Sequence, residues 1–174
     1  MMNDDLLIDG WTIYFHPCFI DQMEALIAKV EQAMAKDPKG YKKKAAWLRL
    51  VSIAQIIEDE LPKDPGHSRF RQGDTLGTAN TKWRRAKFGG QRYRLFFRYH
   101  SSSKIIAVGW VNDEDTLRTY GSDTDAYKVF RSMLNRGHPP TDWATLLAEC
   151  QKARAETKGL HDRLGNLLGD DSTT

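Results

Sequence analysis

The sequence predicts an α+β domain: a twisted, mainly antiparallel sheet packed against an N-terminal helical hairpin, with additional C-terminal helices. Three observations point to it. Two early segments space their apolar residues three and four apart, the period of a helix with one buried face. Residues 83–111 then hold three consecutive runs with the two-residue period of strands, joined by tight turns. After residue 125 the helical period returns.

The elements follow in order. Gly10–Phe15 is β-branched and aromatic, which suits a short first strand, and His16-Pro17 breaks it. From there Phe19, Met23, Leu26, Ile27, Val30 and Met34 mark a first helix, with Asp21 as its expected N-cap and Glu24 completing a capping box. Tyr41 to Leu61 shows the same spacing, and Pro62 stops it. Residues 62–81 are rich in Pro, Gly, Ser, Thr and Asn and form a long loop. Trp83–Phe88 and Tyr93–Tyr99 flank Gly89-Gly90, a hairpin connection. Alternation puts Tyr93, Leu95, Phe97 and Tyr99 on one face. Arg94, Phe96 and Arg98 take the other, with Arg85 and Lys87 beside them. Arg94 is expected on the solvent side of the sheet. Lys104–Val111 is apolar on both faces and fits a central, doubly covered strand. Helices follow over Asp125–Asn135 and after Thr141-Asp142. The chain divides into a folded domain, 1–157, and a polar tail, 158–174, expected to be weakly ordered.

The chain of 174 residues is 40% hydrophobic and 28% charged, which excludes fibrous and wholly disordered classes. No apolar run reaches membrane-spanning length, and the acidic start MMNDD does not fit a signal peptide. Cys18 and Cys150 make no disulfide framework. A cytoplasmic protein with reduced thiols and no membrane association is expected. No CxxC or HxxxH pair is present and no nucleotide-binding motif, so no metal and no cofactor are expected.

The net charge of +3 hides a concentration. Residues 82–100 hold seven Lys/Arg and no Asp or Glu, while the rest of the chain has 19 basic against 23 acidic residues. Such a patch suits a polyanion, nucleic acid first; a solvated, edge-protecting face is the bland alternative. RNA can be cut without a metal. The 2′-hydroxyl attacks the adjacent phosphate, cations stabilise the phosphorane, and a donor protonates the leaving 5′-oxygen. Arginine forks suit the phosphate. Arg85, Lys87, Arg94, Arg118 and Tyr120 supply the residue types, and Lys82, Arg84, Arg92, Arg98, Asn112 and His138 are candidates for contacting RNA.

Several long motifs carry a family resemblance: Asp9-Gly10-Trp11, His16-Pro17-Cys18-Phe19, Lys87-Phe88-Gly89, Tyr93–Tyr99, Gly109–Glu114, Thr116–Gly121, Thr124-Asp125-Ala126-Tyr127 and Arg136-Gly137-His138-Pro139-Pro140. Over roughly residues 9–150 the chain resembles the RelE-like toxins of bacterial toxin–antitoxin systems, and within them the YhaV family. The resemblance implies a RelE-like fold and a metal-independent endoribonuclease that cleaves mRNA, on the ribosome or free, and so blocks translation. It places Arg94, in Tyr-Arg-Leu, at the phosphate-binding arginine. Arg85 and Lys87 fall where RelE has two lysines. Arginine stays protonated, so either Lys87 is the better base candidate or the 2′-hydroxyl is activated by another group. Arg118 and Tyr120 would supply the later arginine and tyrosine, although their spacing departs from the pattern, with His138 as a substitute acid. The implied partner is a PrlF-like antitoxin with an AbrB-type DNA-binding domain, and the pair would bind operator DNA. Two other functions compete: a gyrase poison of the same fold, which lacks the basic catalytic set, and a non-catalytic nucleic-acid-binding module.

Overall fold

A computed structural model describes residues 5–169 of the chain. Its five strands are β1 (Leu6–Ile8), β2 (Trp11–Phe15), β3 (Arg84–Phe88), β4 (Tyr93–His100) and β5 (Ile105–Val111). Its helices are α1 (Pro17–Lys36), α2 (Ala45–Gln55), α3 (Ala126–Asn135), α4 (Trp143–Lys152) and α5 (Arg154–Gly169). The sheet order is β1-β2-β5-β4-β3, antiparallel except for the β2–β5 pair. The α+β class expected from the sequence is present. No helix among the described residues is long and apolar enough to cross a membrane.

The sheet is covered on both faces, and strand alternation decides which side chain goes where. Leu95 and Phe97 of β4, with Ile106, Val108 and Val111 of β5, pack against Phe19, Met23 and Ile27 of α1 and Leu50 and Ile53 of α2. Phe96, Ala107 and Trp110 face the other way, onto Tyr127, Phe130 and Leu134 of α3 and Leu146 and Cys150 of α4. The doubly apolar β5 is therefore the central strand. The β4–β5 register slips between Phe96 and Phe97, leaving Gly109 as an extra residue on β5. A Cβ at Gly109 would sit 2.6 Å from the Trp83 ring, so this bulge needs glycine for Trp83 to lie across it.

Several expectations are corrected. An additional strand, β1, precedes the one foreseen, entered through a left-handed Asp9-Gly10 turn. The first helix starts four residues before Asp21. Pro17 takes its first position, where a missing N–H costs nothing, and His16 caps it by accepting from the Cys18 backbone N–H at 3.1 Å. The second helical segment is broken into a 3₁₀ turn (Tyr41–Lys43), α2, and a π turn (Ile56–Glu60). The 62–81 loop conceals two 3₁₀ turns, Ser68–Phe70 and Thr78–Asn80. Gln72 staples them by donating to the carbonyls of Asn80 and Trp83. The tail expected from residue 158 is helical to Gly169. Leu160 and Leu164, four apart, bury into the α1–α2 core, and the buried Thr157 hydroxyl accepts from the Phe15 N–H at 3.0 Å. Residues 170–174 lie outside the described region.

Candidate functional site

The basic hairpin brings its charges together at the β3–β4 turn end of the sheet. Lys87 stands directly opposite Arg94 in the register, and Arg85 opposite Phe96, on the α3-covered face. Arg94 is not on the solvent side as expected: it is 5% exposed. The reason is α3, whose first turn lies over this end of β4. The Arg94 Nε donates to the Tyr127 hydroxyl at 3.0 Å, and its Nη1 to the carbonyls of Gln91 (2.5 Å) and Tyr93 (3.1 Å). The Arg85 Nε donates to the same hydroxyl at 2.9 Å, and its Nη1 to the Arg69 carbonyl at 2.8 Å.

Arg118 completes a three-arginine cluster from the irregular segment 112–125. Its backbone N–H is held by the Arg92 carbonyl at 3.0 Å. Its guanidinium carbon lies 4.8 Å from the Tyr127 ring centre and 3.7 Å from that of Tyr120. Burial works against its charge, but Asp125, at 2.5 Å, and Tyr120 together outweigh burial and raise its pKa. Tyr120 is 86% exposed, a flat lid on Arg118 rather than a group inside the cluster.

Tyr127 is the residue that sequence reasoning missed. Its position in the α3 apolar register was legible, and its ring does pack edge-on against Phe96, 5.6 Å between centres. Its hydroxyl is a separate matter. A phenol oxygen accepts at two lone pairs, and two guanidiniums occupy them. What remains is one O–H, able only to donate. The signal present in the sequence was Thr124-Asp125-Ala126-Tyr127, an N-cap carboxylate two residues before a tyrosine, which sets that tyrosine in a helix's first turn.

The other candidates sort differently. Lys87 is exposed, on the rim of an open groove with Glu60, Arg69, Phe70 and Ala86. Lys82 and Arg92 are also exposed. Arg84 points to the opposite face, over the Tyr99 ring at 5.2 Å. Arg98 is a packing residue: it lies between Trp83 and Trp143, donates to the Thr141 carbonyl, and burial lowers its pKa. Asn112 is buried and spends its amide on the chain itself. Its Oδ1 accepts from the Arg94 N–H at 2.7 Å, and its Nδ2 donates to the carbonyls of Arg92 and Thr116. Its side chain is turned into the fold and links β4 to the segment after β5. His138 is exposed on the α3–α4 connection and interacts electrostatically with His16.

Cysteine and metal chemistry find little footing. Burial pushes the Cys18 thiol up to about 11 and Cys150 to about 12, so both are inert thiols. His16 is also engaged. With Nδ1 accepting from Cys18, its Nε2 donates to Glu149 at 2.9 Å, and burial, only partly opposed by that carboxylate, lowers its pKa. Among the described residues no three His, Cys, Asp or Glu side chains converge as a metal site.

The chain is similar to known toxins. Residues 13–151 match a family described as a toxin with endonuclease activity, of a toxin–antitoxin system. The chain is 50% identical over 146 residues to the ribonuclease toxin YhaV of Escherichia coli K12, covering 83% of this chain and 95% of that protein. Toxin YhaV of strain O157:H7 gives the same figures, and that of strain O6:H1 is 49% identical over 147 residues, 84% of this chain and 96% of that one. No solved structure matches significantly.

Proposed function

The chain belongs to the YhaV family of ribonuclease toxins, and from that premise we propose that it cuts messenger RNA by 2′-hydroxyl attack on the adjacent phosphodiester, without a metal ion. The observation that supports this most directly is the cluster of three arginines around Tyr127, Arg85 and Arg94 on its hydroxyl and Arg118 over its ring. Three guanidiniums held by the protein suit a phosphorane, whose charge exceeds that of the ground-state phosphate. Donors fixed in advance need no reorganisation as that charge grows.

The roles divide by what each group can do with a proton. Arginine binds and does not exchange one. Lys87, opposite Arg94 and open to solvent, is assigned to the 2′-hydroxyl side. The 2′-hydroxyl gives its proton to the uncharged Lys87 amine as its oxygen bonds to phosphorus, the P–O5′ bond breaks, and the departing oxygen takes a proton from Tyr127, replacing Tyr120 in that role. The products are a 2′,3′-cyclic phosphate and a 5′-hydroxyl. Tyr120, exposed over Arg118, is suited to stack on a base.

The same reading supplies a partner. A PrlF-like antitoxin with an AbrB-type DNA-binding domain would neutralise the toxin, and the complex would bind operator DNA. The test is the chemistry of the ends. Cleavage by the purified protein should leave 5′-hydroxyl ends that accept adaptors only after phosphorylation. Ends that are 5′-phosphorylated from the start would overturn the 2′-hydroxyl mechanism.

A further inference from the structure

We propose that Asp125 is a positioning residue for the cleavage reaction, one carboxylate that sets both Arg118 and Tyr127; the proposal rests on the ribonuclease reading above. Asp125 is the N-cap of α3 and is 5% exposed. Its two oxygens do different work. Oδ2 accepts from the Tyr127 backbone N–H at 3.1 Å, the ordinary duty of an N-cap. Oδ1 accepts from the Thr119 N–H at 2.6 Å and from the Arg118 Nη1 at 2.5 Å.

Capping alone needs one acceptor, and serine or asparagine would serve as well. The second oxygen addresses a different difficulty. Arg118 comes from segment 112–125, which has no strand or helix ladder to hold it. A long side chain on such a segment samples many rotamers, and each phosphate contact would then cost ordering. The carboxylate removes that freedom. Its own place is fixed by the first turn of α3, where the helix dipole favours negative charge. It therefore ties the loop arginine to the same turn that carries Tyr127. The guanidinium lies between the Tyr127 and Tyr120 rings, with Asp125 and the Tyr120 hydroxyl as hydrogen-bond partners, and its remaining N–H donors are left for a phosphate.

The test uses the full chain and an RNA oligonucleotide containing a site that the wild-type protein cuts. Asp125→Ser and Asp125→Asn both keep a cap acceptor and remove the charge. Both should keep wild-type helix content, with kcat reduced on the order of 10²-fold, as for a displaced catalytic group, and KM little changed. In an Arg118→Ala background, Asp125→Ser should cause no further loss in kcat, because serine keeps the cap that places Tyr127 and the other group, Arg118, is gone. A purely structural cap would give wild-type kcat in the serine and asparagine variants, and that result would overturn the proposal. So would losses that multiply in the double variant. Tighter RNA binding by Asp125→Asn would also overturn it, by showing that the carboxylate competes with phosphate for Arg118. If the wild-type protein cuts no RNA, the ribonuclease reading itself fails and this proposal with it.

Discussion

Replacing Tyr127 by phenylalanine removes one oxygen and leaves the ring in place against Phe96. No cavity opens. What is lost is the shared acceptor of two arginines, at 2.9 Å for Arg85 and 3.0 Å for Arg94. The consequences differ because burial differs. Arg85 is half-buried and can turn its Nε to water. Arg94 is 5% exposed, so its Nε is left without a partner. An orphaned buried donor costs about 1–3 kcal/mol. For a domain of this size that lowers Tm by roughly 2–12 °C. Cleavage should fall by far more, about 10²–10⁴-fold, as expected for removal of a general acid. A substrate with sulfur in place of the bridging 5′-oxygen separates the two effects, since a thiolate leaves without a proton. On that RNA the Tyr127→Phe defect should largely vanish. Equal defects on both substrates would refute proton donation and reduce Tyr127 to a holder of arginines; wild-type rates on the natural RNA would refute both.

Three other outcomes follow from the geometry. Arg94→Ala should abolish cleavage and also destabilise the fold by about 1–3 kcal/mol, because the Gln91 and Tyr93 carbonyls and the Tyr127 hydroxyl each lose a donor; unchanged stability in denaturant titration would contradict the buried arrangement. His16 has its pKa lowered in the fold by burial, so its contribution to stability is complete above about pH 6.5 and is lost as pH falls toward the folded-state value. His16→Asn, which keeps a cap acceptor, should therefore flatten the acidic limb of a stability–pH profile, and an unaltered limb would argue against it. Cleavage of free RNA should survive EDTA; loss on chelation, restored by one particular metal, would sink the metal-free mechanism.

How much was legible in the sequence depended on the kind of interaction. Strand alternation located Arg94, Phe96 and Arg98 on one face correctly, because period two is enforced by backbone geometry. The same alternation could not say what covers that face. Arg94 and Arg98 read as solvated charges, yet α3 and α4 lie over them, since Phe130, Leu134 and Leu146 need a sheet to bury against. Tyr127 was legible as a core residue and illegible as a candidate site residue: its hydroxyl stands out only when Arg85 and Arg94, far away in the chain, meet it. Tyr120 was selected for its residue type near Arg118. It does contact that arginine, but from outside. Residues 158–169 looked too polar to fold because their helix buries only a narrow stripe, Leu160 and Leu164, and is held besides by Thr157 pairing with β2 and by the pairs His161–Glu58 and Arg163–Glu24.

If the arginine cluster around Tyr127 acts on RNA inside the cell, new RNA ends must appear there when the protein is made. Transcriptome-wide mapping of new RNA 5′ ends after brief induction tests it most directly, comparing the wild-type chain with soluble Arg94→Lys, which keeps the charge and removes the planar fork. The expected result is a set of new 5′-hydroxyl ends confined to the wild type, with growth arrest following them. Growth arrest by the wild type with no new ends would contradict the claim and turn attention to a target other than RNA.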